Sequence, residues 1–138
     1  MLEGMLETAL YARDLDKAET FYEDVLGLEK IARAANRHVF FRCGPGVLLI
    51  FNPKETVKPP APEALQVPPH GTSGQGHACF RVSGRNIDAM AERLTAAGVA
   101  IESEVRWPNG GRSIYFRDPD GNSLECAEAK IWGIEQDI

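Results

Sequence analysis

The fold is decided by two stretches that resemble each other, FFRCGPGVLLIF (Phe40–Phe51) and YFRDPDGNSLEC (Tyr115–Cys126). Aligned without a gap, they share a phenylalanine, an arginine, a glycine and a leucine: Phe41/Phe116, Arg42/Arg117, Gly46/Gly121 and Leu49/Leu124. Matches at one fixed offset indicate an internal repeat. One aligned pair differs in chemistry, because Ile50 of the first stretch lies opposite Glu125 of the second.

The repeat extends beyond these stretches to a whole structural unit. LETALYA (6–12) and GHACFRV (76–82) have the alternation of strands. Each is followed by apolar residues at helical spacing, with a capping Asp or Asn before them and a glycine after them: Asp14, Leu15, Ala18, Tyr22, Val25, Gly27 and Asn86, Ile87, Met90, Leu94, Ala97, Gly98. Three further strands follow in each copy: 28–34, 38–44 and 47–51, then 99–105, 112–116 and 122–127. The sequence therefore predicts an α+β fold of two βαβββ modules in tandem, with sheets cupped around a pocket.

The predicted domain organisation is a single domain with four parts. The first module covers residues 5–52, a connector covers 53–75, the second module covers 76–128, and a tail covers 129–138. Six of the nine prolines lie in the connector, which favours an extended chain over a helix or strand. Ile131, Trp132 and Ile134 in the tail require burial, and we expect them to cover a pocket mouth or a partner surface.

Composition argues against several classes of function. A formal net charge of −5 without a Lys/Arg cluster argues against a nucleic-acid partner. The longest strongly apolar run, Val47–Phe51, is too short to span a membrane. Charged residues throughout positions 1–20 argue against a signal peptide, and three cysteines without a CxxC motif are typical of reduced thiols in a cytoplasmic protein.

Alternation along the strands assigns a second set of side chains to one face of the sheets. An antiparallel sheet can turn such a face to water, but this set is partly aromatic and suits the lining of a concave pocket better. It contains Glu7, Tyr11, His38, Phe40, His77, Cys79, Ser113, Tyr115 and Glu125.

The repeat also predicts a metal site. Glu7 and His77 occupy the same position in the first strand of each copy, and Ile50 and Glu125 the same position in the last. If the two sheets face each other, within a chain or across a dimer, these four positions converge. Two carboxylates and one imidazole leave open positions on a divalent ion, as catalysis requires.

Three segments resemble the vicinal oxygen chelate superfamily, which includes glyoxalase I, extradiol dioxygenases, fosfomycin-resistance thiol transferases and bleomycin-resistance proteins. They are ETALYARDLDKAETFYEDVLGLE (7–29), GHACFRV (76–82) and RSIYFRDPDGNSLE (112–125). The resemblance covers Met5 to Glu128 and implies a paired βαβββ fold around a metal held by Glu7, His77 and Glu125. Ile50 matches the fourth ligand position, which three-ligand members leave without a ligand.

The sequence departs from individual members of this superfamily. The first ligand is usually His rather than Glu, and the carboxylate that glyoxalase I would place at Ile50 is missing. Ser113 and Tyr115 match pocket residues of the fosfomycin enzymes, but Ala9 replaces their threonine and the tail lacks their phosphonate-binding arginine. Extradiol cleavage uses two histidines and one carboxylate on Fe(II), the reverse of the ratio here.

We therefore expect a homodimeric metalloenzyme, a lyase or isomerase of the glyoxalase kind, in which Zn, Mn, Ni or Fe chelates two neighbouring oxygens of a small metabolite. Glu125 or His38 would move the proton. Substrate contacts are expected from five residues on the shared face: Tyr11, Phe40, Cys79, Ser113 and Tyr115. The alternatives are a metal-free binding protein of the bleomycin-resistance type and an extradiol-type dioxygenase.

Each candidate also has a structural interpretation. Glu125 can form a salt bridge, His77 a structural hydrogen bond, Glu7 can be exposed, and His38 can be a satisfied edge-strand histidine. His70 is expected to be a loop residue rather than a lid contact. Residues 106–112 are expected to form a hairpin loop rather than an anion-attracting flap, and 118–121 a turn rather than a calcium loop.

Overall fold

The computed structural model describes residues 1–134, so residues 135–138 of the predicted tail lie outside the described residues. The chain divides into two compact units, Met1–Gly74 and Gln75–Ile138. Each unit contains one four-stranded sheet and the element order βαβββ. The predicted α+β fold with two tandem modules is confirmed.

The first unit has strand order β1-β4-β3-β2, with β1 parallel to β4 and the other neighbours antiparallel. A parallel β1–β4 pair requires a long crossover, and the first helix with β2 and β3 provides it. The elements are β1 (Glu7–Tyr11), α1 (Leu15–Thr20), β2 (Glu29–Ala34), β3 (His38–Cys43) and β4 (Gly46–Phe51).

Asp14 caps the start of helix α1, as predicted: its carboxylate accepts a hydrogen bond from the Lys17 amide at 3.1 Å. After Thr20 the chain continues as a π-helical turn, Phe21–Val25. A π-turn holds an extra residue, so Phe21 and Tyr22 are both buried, with ring centroids 5.2 Å apart. Helical spacing predicted burial of Tyr22 alone.

The connector is not entirely extended, which corrects one prediction. Pro53–Thr56 forms a short helix, α2, because the Asn52 side chain accepts from the Lys54 amide at 3.1 Å and Pro53 fits the first turn. Thr56 is buried, and its carbonyl accepts a hydrogen bond from the His70 amide at 3.0 Å. These contacts fold the connector back on itself within the first unit.

The second unit repeats the arrangement with strand order β5-β8-β7-β6 and a parallel β5–β8 pair. Its elements are β5 (His77–Arg81), α3 (Ile87–Ala96), β6 (Ser103–Arg106), β7 (Arg112–Arg117) and β8 (Ser123–Ala127). The predicted cap of α3 is wrong: Asn86 makes no side-chain capping bond, because the Ser83–Asn86 turn gives it helical rather than extended dihedrals.

The apolar face of each sheet packs against its own helix. Helix α1 contacts β3 and β4, and α3 contacts β7. The largest fully buried side chains come from these faces: Leu15, Tyr22, Val39, Phe41 and Ile50 in the first unit, and Ile87, Leu94, Ile114, Phe116 and Leu124 in the second.

The described part of the tail forms a 3₁₀ turn, Ala129–Trp132. Trp132 is 78% exposed and Ile134 48% exposed, so neither is covered by residues 1–134. No helix within residues 1–134 has the length and hydropathy to cross a membrane.

Candidate metal and substrate site

Strand register determines which residues of the two modules are equivalent. In the first unit Phe41 lies opposite Leu48, whereas in the second Phe116 lies opposite Leu124. The turn of the second unit is therefore one residue longer, and the gapless alignment fails across it. A shift of one residue moves a side chain to the other face of a sheet.

Leu49, rather than Ile50, is consequently the structural equivalent of Glu125. Ile50 pairs with Leu10 and Val39, and all three side chains are buried on the helix-covered face. Leu49 lies between Ala9 and Phe40 on the opposite face. The assignment of Ile50 to the fourth ligand position is wrong; that position holds a leucine, so it still offers no metal ligand.

The longer turn is built around Asp118. Its carboxylate accepts hydrogen bonds from the amides of Asp120 and Asn122 at 3.0 and 2.9 Å and from the Asn122 side chain at 2.8 Å. The Asn122 side-chain oxygen in turn accepts from the Gly76 amide at 2.7 Å, which joins this turn to the start of β5. Residues 118–121 thus form the predicted turn, and it places β8 in the register that turns Glu125 away from the helix.

Glu125 is buried on this second face and surrounded by hydrogen-bond donors. The Ser113 hydroxyl donates to Oε2 at 2.5 Å, and the Trp107 indole Nε1 donates to the same hydroxyl at 2.8 Å. Because Trp107 can only donate, it directs the serine proton toward the carboxylate. Oε1 faces the Nε2 of His77 at 3.4 Å.

The orientation of His77 is fixed by its other ring nitrogen. Nδ1 lies 2.8 Å from the Ser123 carbonyl oxygen, which can only accept, so Nδ1 carries the proton. In the neutral ring Nε2 then has a free lone pair directed toward Glu125. Two electron-pair donors facing each other suit a shared cation, and a ligand histidine with its second nitrogen bonded to a carbonyl is the usual arrangement at metal sites.

Cys79 and Tyr115 flank Glu125 on the neighbouring strands. Burial of the thiol, followed by the charges of Glu125 and Cys126, raises the pKa of Cys79 to about 12. Burial, followed by the charge of Glu125, also raises the pKa of the Tyr115 hydroxyl. Both groups are therefore protonated at neutral pH and act as hydrogen-bond donors rather than as nucleophile or base.

A cavity of about 770 Å³ lies within the first unit, between the second face of its sheet and the connector. Its lining includes Glu7, His38, Phe40 and Leu49 from the sheet, and His70 from the connector. The volume is in the range of small-molecule sites. His38 and Phe40 thus line a cavity of the first unit, and their contact with a substrate stays a prediction.

His70 makes contacts that the sequence did not predict. Its Nδ1 is 2.7 Å from the Tyr11 hydroxyl, and its ring packs edge-on against Phe51 with centroids 4.5 Å apart. It lies in the connector loop, as predicted, and forms part of the cavity wall. Only its position before a glycine in a polar connector was visible in the sequence, and that is no signal for a wall residue.

Arg37 determines the state of His38. The guanidinium can only donate, so its 2.8 Å contact with His38 Nδ1 leaves the proton of the neutral ring on Nε2. Burial, followed by the charge of Arg37, lowers the pKa of His38 below its usual 6.5. At neutral pH His38 is a hydrogen-bond donor toward a ligand.

The predicted site residues fall into two groups. Tyr11, His38 and Phe40 lie in the first unit with Glu7; Cys79, Ser113, Tyr115, His77 and Glu125 lie in the second. Within residues 1–134, no three His, Cys, Asp or Glu side chains are grouped closely enough to form a metal site. The segment before β7 is a turn. Arg112, the first residue of β7, forms ion pairs with Glu104 and Asp88 at 2.6 and 2.8 Å, so this arginine is not available to an anionic substrate.

The repeated βαβββ architecture and the His–Glu pair on its second sheet can be compared with known families. The model of the Glyoxalase/Bleomycin resistance protein/Dioxygenase superfamily matches residues 4–126. The chain belongs to this superfamily.

Individual members are similar over nearly the whole chain. The glutathione transferase FosA of Serratia marcescens is 33% identical over 126 residues, covering 91% of this chain and 80% of that protein. A crystal structure of lactoylglutathione lyase from Agrobacterium tumefaciens is 45% identical with a TM-score of 0.91, covering 96% of this chain and 98% of that one. A variant of the fosfomycin resistance protein FosX from Listeria monocytogenes, complexed with Mn(II) and 1S,2S-dihydroxypropylphosphonic acid, is 25% identical with a TM-score of 0.66, covering 91% and 90%.

These relatives are enzymes, and they include a lyase and a transferase. The expected membership in the vicinal oxygen chelate group is thereby confirmed, and the expectation of an enzyme agrees with the relatives. They differ in reaction, so superfamily membership alone does not select one activity.

Proposed function

We propose that this protein is a divalent-metal-dependent lyase or isomerase that acts on a small metabolite with two neighbouring oxygen atoms. The observation that carries the proposal is the pair His77 Nε2 and Glu125 Oε1, 3.4 Å apart, with the histidine held in its ligand tautomer by Ser123. A buried carboxylate facing an imidazole lone pair needs a proton or a metal between them.

The residues present fit a metal such as Zn, Mn, Ni or Fe, since imidazole and carboxylate are ligands for all four. His77 and Glu125 would hold the ion, which when bound would polarise the chelated oxygens of the substrate. Leu49 explains why the ligand set has three members rather than four.

The remaining side chains of the second face provide donors around the reacting oxygens. Ser113 fixes the Glu125 carboxylate through its 2.5 Å hydrogen bond. Tyr115, protonated at neutral pH, can donate to a developing negative charge. Glu125 is the candidate for proton transfer, whereas His38 in its Nε2-protonated form is a donor to the substrate.

Glu7 is the proposed third ligand, supplied by the first module of a partner chain. The repeat motivates this arrangement, because Glu7 occupies in the first strand of the first module the position that His77 occupies in the first strand of the second. It also gives the exposed Trp132 and Ile134 a partner surface to contact, because a homodimer would form around the shared sites.

Mixing two inactive variants tests the shared site. In a Glu7→Ala/His77→Ala hybrid dimer one of the two sites keeps all three ligands. Random exchange of equal amounts should restore about a quarter of the wild-type bound metal. A mixture that binds no more metal than either variant alone would rule out the exchanged arrangement.

The reaction class is tested by measuring the formation or cleavage of S-lactoylglutathione by the metal-loaded protein. Loss of turnover in His77→Ala, with turnover kept in the surface variant Arg33→Gln, is the expected result. Metal-loaded wild type with no activity toward this compound or other small 2-hydroxycarbonyl compounds would contradict the proposed class.

A second candidate is addition of a thiol or water to fosfomycin, favoured by the 33% identity to FosA and by Ser113 and Tyr115 beside Glu125. Ala9 and the absence of a phosphonate-binding arginine in the tail argue against it. Consumption of fosfomycin with glutathione in the same assay would favour this candidate over the first.

A further inference from the structure

We propose that the cavity of the first unit binds a flat, conjugated organic acid, with Arg37 as the partner of its anionic group. The cavity is formed within residues 1–74, so the proposal does not depend on how the two modules assemble. That this acid is also the substrate rests on the function proposed above.

The floor of the cavity is aromatic. Phe40 and Phe51 pack edge to face with centroids 5.4 Å apart, and His38 is stacked on Phe40 at 4.0 Å with the rings 8° from parallel. His70 closes one side, edge-on to Phe51. Some of these rings are parallel to one another and others are perpendicular. A flat ligand could therefore stack on the face of one ring and contact the edge of another.

Arg37 carries a positive charge that no acidic side chain within residues 1–134 neutralises through an ion pair. The guanidinium lies 5.7 Å from the centre of the Phe51 ring, and one of its nitrogens donates to His38. Within the described residues Arg37 has no ion pair with a carboxylate. Its remaining donors have the planar geometry that suits a carboxylate.

The other charges of the cavity leave Arg37 available. Lys58 is paired with Glu55 at 2.9 Å, so these two largely cancel. Glu7 and Arg37 lie at opposite ends of strand β4. Glu7 pairs with Val47, whereas Arg37 lies over the ring of Phe51, four residues further along the strand. Four residues of strand span about 13 Å, a separation at which Glu7 neutralises Arg37 only weakly.

The cavity therefore has a cation at one end, an aromatic floor and a carboxylate at the other end. A ligand that fits this order has its anionic group at Arg37 and its body on Phe40 and Phe51. Its opposite end would lie near Glu7, which is the proposed metal ligand. The substrate class inferred for the proposed reaction is thus an aromatic or conjugated acid whose reacting oxygens are remote from the acid group.

The test uses three fluorinated probes, with dissociation constants measured by ¹⁹F NMR on the full-length protein. 4-Fluorobenzoate has a ring and a charge, 4-fluorobenzamide has the ring alone, and trifluoroacetate has the charge alone. The dissociation constant of 4-fluorobenzoate should be at least about tenfold lower than that of 4-fluorobenzamide, as one charge-assisted hydrogen-bonded contact implies. It should also be at least about tenfold lower than that of trifluoroacetate, which lacks the ring.

Variants assign the effect to Arg37. Arg37→Gln should abolish the preference for benzoate over benzamide, and Arg37→Lys should keep a reduced preference because the charge remains. The matched control is Arg33→Gln, since Arg33 binds Asp16 at 3.1 Å outside the cavity. The proposal would be overturned if 4-fluorobenzoate bound no more tightly than 4-fluorobenzamide or than trifluoroacetate. It would also be overturned if the preference for benzoate over benzamide survived Arg37→Gln.

Measuring the probes on both EDTA-treated and Zn(II)-loaded protein separates this proposal from the proposed function. If the metal site fails, zinc does not bind but the preference for benzoate persists. If the anion site fails, zinc binds and the preference is absent.

Discussion

Cys79 provides a direct test of the electrostatics around Glu125. The thiol retains solvent contact, yet burial and then the charge of Glu125 raise its pKa to about 12 from the 9.0 of an unperturbed thiol. Glu125→Gln keeps the size of the side chain and its hydrogen bond with Ser113 but removes the charge. Because burial is the larger cause, the pKa of Cys79 should fall in this variant and still remain above 9.0.

The magnitude follows from the thiolate fraction. At pH 8 a thiol with a pKa of about 12 is about a thousandfold less ionised than one at 9.0. The more basic thiolate is intrinsically about 20-fold more nucleophilic, so disulfide exchange should be about 50-fold slower than for an unperturbed thiol. The pH dependence of the rate separates ionisation from steric exclusion, because restricted access lowers the rate at every pH without moving the titration midpoint.

The assay uses EDTA-treated protein, so that no metal offsets the charge of Glu125, and follows exchange with 4,4′-dithiodipyridine between pH 7 and 10 in a Cys43→Ser background, with Cys126 remaining buried. Mass spectrometry of the modified peptide confirms that Cys79 is the site. A Cys79 that titrates near 9.0, or a rate unchanged by Glu125→Gln, would refute the described environment of the carboxylate.

Two further predictions concern single hydrogen bonds. Ser113→Ala removes the hydroxyl between Trp107 and Glu125. It should lower the free energy of unfolding by about 1.5–3 kcal/mol, or the Tm by about 5–10 °C. The exposed Ser103→Ala is the control, and an unchanged Tm in Ser113→Ala would contradict the buried hydrogen bond. His38 has a pKa below 6.5 in the folded protein, so just below pH 6.5 the unfolded state binds more protons than the folded state. The stability that neutral His38 contributes is therefore lost as the pH falls below 6.5. Proton NMR should place the His38 midpoint below 6.5 and show it rising in Arg37→Gln; a midpoint at or above 6.5 would contradict the assigned contact.

The repeat predicted most of the architecture because the two modules share hydrophobic spacing and turn residues. It predicted the order of elements along each module, βαβββ, and the mixed second face on which Tyr115 and Glu125 lie. It could not give the register of the last strand. Five residues separate the paired Arg117 and Ser123, whereas four separate the equivalent pair Arg42 and Val47, and a gapless alignment is insensitive to that difference.

The remaining errors have local causes. The π-turn after Thr20 depends on tertiary packing of Phe21 and Tyr22, which periodicity does not encode. The short helix at Pro53 was hidden by the high proline content of the connector, although Asn52 before a proline is a helix-start signal. His70 became part of the cavity wall through contacts with Tyr11 and Phe51, which are far from it in sequence.

Metal content tests the central claim most directly. Protein purified without chelators, or reloaded with Mn(II) or Zn(II), should contain about one divalent ion per chain by elemental analysis. His77→Ala should lose the ion, and His38→Ala, which changes a histidine of the first unit outside the proposed ligand set, should retain it. Wild-type protein that stays metal-free after reloading, or metal content unaffected by His77→Ala, would contradict the assignment of His77 and Glu125 as the metal-binding pair.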